Sequence, residues 1–308
     1  MVQREGFLLL NVSSYVWLNE GQKVKKTLTE LLEKVLTTEE LSLVYGSFDI
    51  VGDIAIIKLT EASEKKAKTI ADTLMHVHGN VKTVLAQTGA ISGEFRLRKL
   101  MHIAGENRAN TVHRESGCVF HVDLDKCYFS PRLGYERARI AKIVKPDETI
   151  VNMFAGVGCF SIMIAKGVES ARVFSIDLNP SAVALMQDNI RLNKVYGRVI
   201  PLLGDAKIIV EHQLRGQADR VLMPLPEKAL QYLPTAVSAI KPSGGWIHVH
   251  AFEHATKAEE PAEKVRMKVA EELSILRIDF EIPFVRIVRR TGPNWFQLVA
   301  DVHLSSSG

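Results

Sequence analysis

The sequence is poor in cysteine, and this scarcity excludes several kinds of site. Its 308 residues contain only Cys118, Cys127 and Cys159, and no two of them form a CxxC pair. Three scattered cysteines cannot build a disulfide framework, and the missing pair argues against a structural zinc site. The sequence therefore predicts a protein of a reducing, cytoplasmic compartment.

Long hydrophobic runs and a strong charge imbalance are also missing. No uninterrupted apolar run approaches the roughly 18 residues of a membrane span, and charged residues soon follow the early run FLLLNV, unlike a signal peptide. The chain has 39 Lys and Arg against 35 Asp and Glu, a net charge of +4. This balance permits a nucleic-acid partner but does not argue for one, since a solvated surface explains it equally well. We expect no membrane partner.

The first half of the chain mixes helical and strand patterns without an internal repeat. KVKKTLTELLEKVL predicts a surface helix, and SFDIVGDIAIIKL predicts two short strands or one strand with a bulge. KAKTIADTLMHVHG predicts a helix closed by Gly79, and VKTVLAQTG and CVFHVDL predict strands. SPRLGYERARIAKIV predicts a helix with Ser130 as its N-cap and Pro131 in its first turn.

Basic residues gather between Glu94 and Arg114, where the regular patterns weaken. The cluster consists of Arg96, Arg98, Lys99, His102, Arg108, His113 and Arg114. Taken alone, a solvated face and a nucleic-acid contact explain such a cluster equally well.

The second half alternates strand-length apolar runs with helical stretches. TIVNMF, ARVFSID, RVIPLLGD, DRVLMPLP and GGWIHVHAF are separated by helical sequence such as NPSAVALMQDNIRLN, and WFQLVADVHL comes last. Strands that alternate with helices predict a parallel, doubly wound, Rossmann-like sheet. A boundary near residue 126 would divide the chain into a short N-terminal segment (1–39), a smaller α+β domain (40–126) and the doubly wound domain (127–304).

A glycine turn, in NMFAGVGCFS, follows the first strand of this sheet. Ligands of open α/β sheets lie beyond the carboxyl ends of the strands, where Gly156 and Gly158 let the backbone approach closely. Asp177 ends the second strand, where an acid binds ribose hydroxyls, and Asp205 ends the third, within reach of an adenine amine. A dinucleotide site would have a third glycine where Ser161 stands, so S-adenosylmethionine is favoured over NAD. A tight turn without a ligand remains the alternative.

Six motifs carry a family resemblance that runs from about residue 40 to residue 304. They are SFDIVGDIAII, GEFRLRKLMHIAGENRANTVHRESG, YFSPRLGYER, NMFAGVGCFSI, IDLNPSAV and DRVLMPLPEKA. Together they resemble the archaeal tRNA (guanine-N1)-methyltransferase family, which modifies guanosine 37 next to the anticodon. The resemblance implies a class I methyltransferase fold after a smaller RNA-binding domain, S-adenosylmethionine as methyl donor, the anticodon loop of tRNA as partner, and no metal. We also expect a monomer.

Matched motif by motif, the resemblance implies roles for individual residues. Glu136 falls where the family's general base removes the proton from guanine N1, and Arg96 where an arginine stabilises charge on O6. Tyr128 falls where an aromatic residue positions donor and base. The predicted cofactor-binding residues are Arg137, Asn152, Phe154, Gly156, Gly158, Asp177, Leu178, Asp205, Ala206, Pro224, Leu225 and Pro226. Because basic residues flank Arg96, the predicted RNA contacts are Arg98, Arg108, His113, Arg114 and Arg132.

The residues alone leave simpler interpretations open. Without the resemblance, an ion pair with Arg132 or Arg139 is the favoured explanation of Glu136. Arg96 would be explained as one solvated charge among several.

The chain departs from the family pattern in three places. Pro224-Leu225-Pro226 stands where the family has Asn-Leu-Pro, and Asn152 replaces the usual acid at the end of the first strand. The N-terminal region is short for the tRNA-elbow-binding domain that many relatives carry. The proline turn resembles the wyosine-pathway subgroup, which also methylates carbon 7 of 4-demethylwyosine.

Other functions compete with methyl transfer. A sister family transfers the aminocarboxypropyl group of S-adenosylmethionine in wybutosine synthesis, but its turn has Gly-Tyr where this chain has Pro-Leu-Pro. A non-catalytic RNA-binding module is a second alternative, disfavoured because Glu136, Arg96 and both acids of the donor site are retained. The missing third glycine disfavours a nicotinamide oxidoreductase.

Overall fold

The computed structural model describes residues 15–17, 23–25 and 27–306, and the side chains of residues 27–306. The chain divides into two compact units, which are Met1–His113 with Asp123–Arg132, and Arg114–Val122 with Leu133–Gly308. It therefore crosses between units three times, at 113/114, 122/123 and 132/133. A single boundary near residue 126 describes this division only approximately. The predicted N-terminal segment, residues 1–39, lies outside the described residues up to residue 26, apart from two short strands.

The first unit contains a four-stranded sheet with helices packed against it. Its described elements are β1 (Tyr15–Trp17), β2 (Lys23–Lys25), α1 (Leu28–Leu32), α2 (Thr38–Ser42), β3 (Asp49–Val51), β4 (Ile54–Lys58), a 3₁₀ helix (Glu61–Lys66), α3 (Ala67–Val77), β5 (Thr83–Gln87) and β6 (Leu100–Gly105). The sheet order is β3-β4-β5-β6, with β4 and β5 parallel and the other neighbours antiparallel. Leu32 of α1 and Ile70 and Leu74 of α3 share one buried core with Ile57 of β4.

Several predicted elements of this unit are corrected by the structure. The helix predicted from KVKKTLTELLEKVL is wrong at its start, because β2 occupies residues 23–25 and α1 begins at Leu28. Thr27 explains that start: its hydroxyl accepts a hydrogen bond from the Glu30 amide, and the Glu30 carboxylate accepts one from the Thr27 amide. The two strands in SFDIVGDIAIIKL are confirmed as β3 and β4. α3 ends at Val77 rather than at Gly79.

The segment between the two regular sheets was predicted least well. β6 and the next strand, β7 (Asn110–Glu115), lie in the basic region where no strands were predicted, whereas β8 (Cys118–Asp123) was expected. A 3₁₀ turn at Pro131–Leu133 precedes α4 (Gly134–Ile143), which has Leu133 at its N-cap position and no side-chain cap. Ser130 is therefore not the N-cap of this helix.

The second unit is built on a seven-stranded sheet. After α4, its described elements are β9 (Thr149–Asn152), α5 (Cys159–Gly167), β10 (Arg172–Asp177), α6 (Pro180–Leu192), β11 (Val199–Leu203), α7 (Ala206–Ile209), a π-helix (Val210–Leu214), β12 (Arg220–Met223), α8 (Ala229–Ala239), β13 (Gly245–His254), α9 (Pro261–Ile275), β14 (Phe280–Gly292) and β15 (Trp295–Leu304). The order is β11-β10-β9-β12-β13-β15-β14. The first five strands are parallel, and β15 is antiparallel to both of its neighbours.

This topology confirms the predicted doubly wound fold. Val151, Val221 and Val249, on three neighbouring strands, are fully buried in one core with Leu233 of α8 and Val265 of α9. The order reverses direction between β9 and β12, which creates a crevice at the carboxyl ends of the strands where ligands of such sheets bind. Across residues 27–306, no helix is both long and apolar enough to cross a membrane.

Candidate functional site

The turn between β9 and α5 contains Gly156 and Gly158, and the structure requires glycine at these two positions for different reasons. Both have positive φ angles, +56° at Gly156 and +91° at Gly158, which other residues rarely adopt. A Cβ atom on Gly158 would lie 2.8 Å from Cγ of the buried Met186, so packing against α6 also excludes a side chain. A Cβ on Gly156 would meet no atom within 4 Å. The turn therefore leaves open space beside Gly156.

Asp177, at the end of β10, holds this turn in place. One carboxylate oxygen accepts a hydrogen bond of 2.6 Å from the Gly156 amide, and the other accepts one of 2.9 Å from the Asn179 amide. Burial raises the pKa of Asp177, while these two backbone donors work in the opposite direction. Each oxygen keeps a further lone pair for a ligand hydroxyl. Leu178, the next residue, is partly exposed at 36%.

Asp205 lies at the corresponding end of β11 and caps α7. Its carboxylate accepts hydrogen bonds from the Lys207 amide at 2.6 Å and from the Tyr232 hydroxyl at 2.8 Å. The Tyr232 ring stands edge-on to the ring of Phe154, with centroids 5.3 Å apart. The structure thus brings together Phe154, which follows β9, and Asp205, with Ala206 buried beside it. Tyr232 was missed from the sequence because a tyrosine in a helix carries no motif.

The remaining predicted donor-site residues lie at the ends of β9 and β12. Asn152 is fully buried, and its amide donates to the Ser161 hydroxyl at 3.1 Å. Its Oδ1 atom has no hydrogen-bond partner among the described residues. Pro224, Leu225 and Pro226 are partly exposed, and the Leu225 carbonyl accepts the amide hydrogen bonds that begin α8.

These features fit an adenosyl ligand. Asp177, whose oxygens keep free lone pairs, flanks the open space beside Gly156. Asp205 accepts a hydrogen bond from Tyr232, whose ring packs against Phe154. Carboxylates at these strand ends suit ribose hydroxyls and an exocyclic amine, and the rings suit a flat purine. The candidate donor site of the second unit thus comprises Phe154, Gly156, Asp177 and Asp205, with Tyr232 added.

Glu136 lies in a separate charged cluster of the second unit. Its side chain is fully buried, and Arg139 donates hydrogen bonds to it at distances between 2.7 and 3.2 Å. The Arg286 Nε atom lies 3.8 Å from the same carboxylate. The ion pair with Arg139 that the residues alone allow is therefore present, whereas Arg132 pairs with Asp49 of the first unit instead.

Arg139 is shared between two carboxylates. It also donates to both oxygens of Asp301, at 2.6 and 2.9 Å. Burial alone would raise the pKa of Asp301, but the hydrogen bonds from His248 and Arg139 hold this pKa well below its usual range. The guanidinium thus bridges the carboxylates of Glu136 and Asp301.

His248 extends this cluster with a defined tautomer. Arg220 lies 2.6 Å from Nε2 of His248, and an arginine can only donate, so Nε2 accepts and the proton is on Nδ1. That proton is donated to Asp301 at 2.6 Å. Burial lowers the pKa of His248 and outweighs the opposite effect of Asp301. The ring is therefore neutral. Arg220 in turn donates to both oxygens of Glu148.

Arg137, the residue after Glu136, is also buried and forms an ion pair. Its guanidinium donates to both oxygens of Glu115, at 2.7 and 2.5 Å. This paired, two-bond geometry is typical of a structural arginine–carboxylate contact. A contact of Arg137 with the donor stays a prediction.

In the first unit, Arg96 and Tyr128 lie together. The guanidinium carbon of Arg96 is 4.9 Å from the centre of the Tyr128 ring, a cation–π distance. Arg96 sits in a tight turn in which the amides of Ser92 and Leu97 donate to each other's carbonyls, and its φ angle is +57°. Such a backbone is uncommon for a residue other than glycine.

The basic residues predicted to contact RNA are mostly held by the protein itself. Arg98 is buried, donates to the Phe129 carbonyl and lies 3.6 Å from Asp49. Arg108 binds both oxygens of Asp53, and Nδ1 of His113 accepts the Gly52 amide.

Arg132 pairs with Asp49, and of the five predicted residues only Arg114 has an exposed side chain. This arrangement counts against direct phosphate contacts by Arg98, whose side chain is only 7% exposed.

Known proteins resemble this chain over most of its length. The tRNA (guanine(37)-N(1))-methyltransferase Trm5b of Pyrococcus abyssi is 40% identical over 84% of this chain and 75% of its own. The tRNA 4-demethylwyosine(37)-methyltransferase Taw21 of Saccharolobus solfataricus is 37% identical over 84% of this chain and 94% of its own. A tRNA(Phe) (4-demethylwyosine(37)-C(7)) aminocarboxypropyltransferase of Methanocaldococcus jannaschii is 33% identical, over 82% of this chain and 95% of its own.

Solved structures of related proteins share the fold. Trm5b of Pyrococcus abyssi superposes with a TM-score of 0.79 at 38% identity, covering 92% of this chain and 83% of that one. A complex of aTrm5 with tRNALeu gives 0.77 at 34% identity, covering 93% and 81%. A complex of TYW2 from M. jannaschii with AdoMet gives 0.60 at 26% identity, covering 85% and 100%.

Two family models match the chain in sequence order. The TYW2 N-terminal domain matches residues 28–108, and the TRM5/TYW2 methyltransferase domain matches residues 111–276. The second match covers more than half of the chain and includes α4, the glycine turn and both acids of the candidate donor site. The resemblance read from the six motifs is confirmed, and the chain belongs to the TRM5/TYW2 methyltransferase family.

Proposed function

We propose that this protein is a tRNA methyltransferase that transfers a methyl group from S-adenosylmethionine to N1 of guanosine 37. The observation that carries the proposal is the glycine turn, held by the hydrogen bond from Gly156 to Asp177 beside open space. The chain belongs to the TRM5/TYW2 methyltransferase family, and it has relatives that are named as guanosine 37 methyltransferases. Both findings support this reaction. Its macromolecular partner would be the anticodon loop of tRNA.

The second unit would hold the donor at the ends of β9, β10 and β11. Asp177 would bind the ribose hydroxyls, Asp205 the adenine amine, and Phe154 with Tyr232 the purine. S-adenosylmethionine, when bound, supplies a methyl group already activated on a sulfonium. The unpartnered Oδ1 atom of Asn152 is an acceptor suited to an amine, and its burial makes an unsatisfied state costly, about 1–3 kcal/mol.

Glu136 would accept the proton that guanine N1 carries. In the structure its carboxylate is bound by Arg139, so it must exchange one of these hydrogen bonds for the N1–H group. Arg139 stays bound to Asp301 during that exchange, which keeps the guanidinium in place and its charge balanced. Proton removal of this kind contributes roughly 100- to 10,000-fold to a rate.

Arg96 and Tyr128, both in the first unit, would act on guanine O6. A guanidinium stabilises the negative charge that develops on guanine O6 as N1 loses its proton. The ring of Tyr128 fixes that guanidinium through the cation–π contact and offers a surface to the base. Both roles are proposals that follow from the family match and this contact.

The decisive experiment is mass spectrometry of nucleosides after incubation with unmodified tRNA and S-adenosylmethionine. We expect 1-methylguanosine at position 37 and S-adenosylhomocysteine as the by-product. Glu136→Gln should retain donor binding and lose most methylation, whereas Glu263→Gln, which changes an exposed acid on α9, is the matched control. Methylation by Glu136→Gln at the wild-type rate would remove the base assignment.

A second candidate reaction is methylation of carbon 7 of 4-demethylwyosine. Pro224 favours it, since this turn has no asparagine amide, and the relative Taw21 is matched over 94% of its own length. Incubation with tRNA that carries the tricyclic base tests this reaction directly. Pro224→Asn should shift the product ratio towards 1-methylguanosine, and an unaltered ratio would contradict a role for the proline. Methylthioadenosine as by-product would instead indicate aminocarboxypropyl transfer.

A further inference from the structure

Two exposed aromatic rings lie beside the Glu136 cluster. Tyr135 precedes Glu136 in α4 and is 64% exposed, and Phe284 in β14 is 40% exposed. The guanidinium carbon of Arg286 is 4.5 Å from the centre of the Tyr135 ring, and that of Arg139 is 5.2 Å from the centre of the Phe284 ring. Both arginines also contact Glu136, so the two rings flank a single carboxylate.

The sheet edge accounts for the exposure of Phe284. β14 is the last strand of the seven-stranded sheet, and its register with β15 is interrupted between Glu281 and Phe284. Interruptions of this kind re-aim side chains at sheet edges and occur often next to binding sites. An exposed phenylalanine adds nothing to the core and makes a free edge more prone to aggregation, which favours a binding role.

The charge of this edge identifies the kind of partner. β14 carries three arginines, Arg286, Arg289 and Arg290, against one acid, Glu281. Aromatic rings next to guanidiniums are what proteins use to stack unpaired nucleobases while attracting phosphates. A peptide ligand for such an edge would have to be acidic, and an acidic side chain does not use the flat ring surfaces.

We propose that Tyr135 and Phe284 form a stacking platform for unpaired nucleotides next to the target base in the tRNA loop. One face of each ring is covered by a guanidinium, which leaves exposed ring surface for a base. The proposal rests on the proposed function, because the contacts to Glu136 place the platform beside the residue assigned to the target guanine. The platform would hold the tRNA loop, and this binding does not depend on the chemistry at N1.

Equilibrium binding of an unmodified anticodon stem-loop hairpin, measured by fluorescence anisotropy, tests the platform. Tyr135→Ala should weaken binding roughly 10-fold, and Phe284→Ala should weaken it to a similar extent, because each removes the stacking of one base. Tyr135→Phe keeps the ring and should retain the affinity. Tyr196→Ala is the matched control, since Tyr196 is 65% exposed and lies after α6, away from the cluster in sequence.

A duplex RNA of the same length separates stacking from general attraction. Its bases are paired, so Tyr135→Ala should bind the duplex as wild type does. The dependence of hairpin affinity on salt should also be unchanged in Tyr135→Ala, since the substitution removes no charge. The proposal is overturned if Tyr135→Ala and Phe284→Ala bind the hairpin as Tyr196→Ala does, or if they lose affinity equally for hairpin and duplex.

Methylation assays on the same variants distinguish failure of the platform from failure of the proposed reaction. If the wild type methylates no tRNA but the platform variants still lose hairpin affinity, the platform stands and the reaction is wrong. If the wild type forms 1-methylguanosine and the variants bind normally, the reaction stands and the platform is wrong.

Discussion

At the scale of one residue, Arg96 combines an unfavourable backbone conformation with a proposed catalytic role. Its φ angle of +57° is a conformation that costs a non-glycine residue roughly 1–2 kcal/mol. Glycine would fit this turn better, as Gly93 does at +76° in the same turn. The guanidinium of Arg96 lies beside Tyr128, where the proposed function gives it a role.

We therefore predict that Arg96→Gly is more stable than Arg96→Ala by about 1 kcal/mol, because glycine adopts positive φ without strain. Both variants should lose methylation by roughly 100-fold or more, since neither carries the charge-stabilising group. Urea denaturation measures the first difference and initial rates the second. Equal unfolding free energies for the two variants would show that the turn relaxes without strain.

His250 gives a second residue-scale prediction, on pH. Burial, together with the nearby positive charge of Arg139, lowers the pKa of His250 to about 3. Its Nδ1 atom lies 3.3 Å from the Gln297 amide nitrogen, and the Gln297 oxygen accepts from Arg289, so Nδ1 is an acceptor. Below pH 6.5, His250 binds a proton in the unfolded chain but stays unprotonated in the folded protein. The free energy of unfolding therefore falls as the pH falls from 6.5 towards about 3.

The free energy of unfolding should therefore fall by about 1.4 kcal/mol per pH unit for this proton between pH 6 and pH 4. His250→Gln, which keeps an acceptor for the Gln297 amide, should remove that share of the slope. Urea denaturation at several pH values provides the measurement, with His76→Gln in the exposed part of α3 as matched control. A slope that His250→Gln leaves intact would contradict the assignment.

The glycine turn allows a prediction at the scale of elements, because its two glycines are required for different reasons. Gly158→Ala should cost about 1–3 kcal/mol of stability from the contact with Met186, in addition to backbone strain. Gly156→Ala should cost about 1 kcal/mol from strain alone, since its Cβ would meet no atom of the protein.

Gly156→Ala should lose more affinity for the donor than Gly158→Ala does, although it should lose less stability. The new methyl group at position 156 occupies space that we assign to the ligand, so calorimetry should show lost S-adenosylmethionine binding by a protein that is still folded. If Gly156→Ala binds the donor normally, the open space beside it is not the donor site.

Sequence patterns predicted the elements of the second unit well, and they failed where tertiary structure decides. Continuous apolar runs with following helices identified β9 to β13, because both faces of a parallel sheet are buried. β14 was missed because an edge strand with three arginines and Pro283 has no such pattern. α4 was predicted to begin at a serine cap, but the 3₁₀ turn before it has no pattern distinct from a first helical turn.

Some residues of the candidate site could likewise be predicted from the sequence, and others could not. Gly156, Gly158, Asp177 and Asp205 were predictable because strand ends of this fold meet at one edge. Arg139, Asp301 and His248 are joined across 162 and 53 residues of sequence, and no local spacing indicates such pairs. The side chains of Arg98 and Arg132 were assigned to RNA because a sequence does not show that Asp49 lies between them.

At the scale of the whole molecule, the donor should stabilise the fold through the second unit. Every residue assigned to S-adenosylmethionine by geometry, from Phe154 to Tyr232, belongs to that unit. A ligand that binds only the folded state adds about 2.7 kcal/mol at 100 times its dissociation constant. Differential scanning calorimetry should therefore show a melting temperature that rises with donor concentration. If the two units melt separately, only one transition should move, and it should be the one that His250→Gln makes less sensitive to acid.

Asp177→Ala should abolish this shift, because it removes both the proposed ribose acceptor and the hydrogen bond that holds Gly156. Asp188→Ala is the matched control, since Asp188 is an exposed acid on the neighbouring helix α6 whose only described ion pair is with Arg191. Asp177→Ala should itself be less stable without ligand, so the comparison uses the change on adding donor rather than the melting temperature itself. A donor-induced shift as large in Asp177→Ala as in Asp188→Ala would place the adenosyl group elsewhere in the second unit.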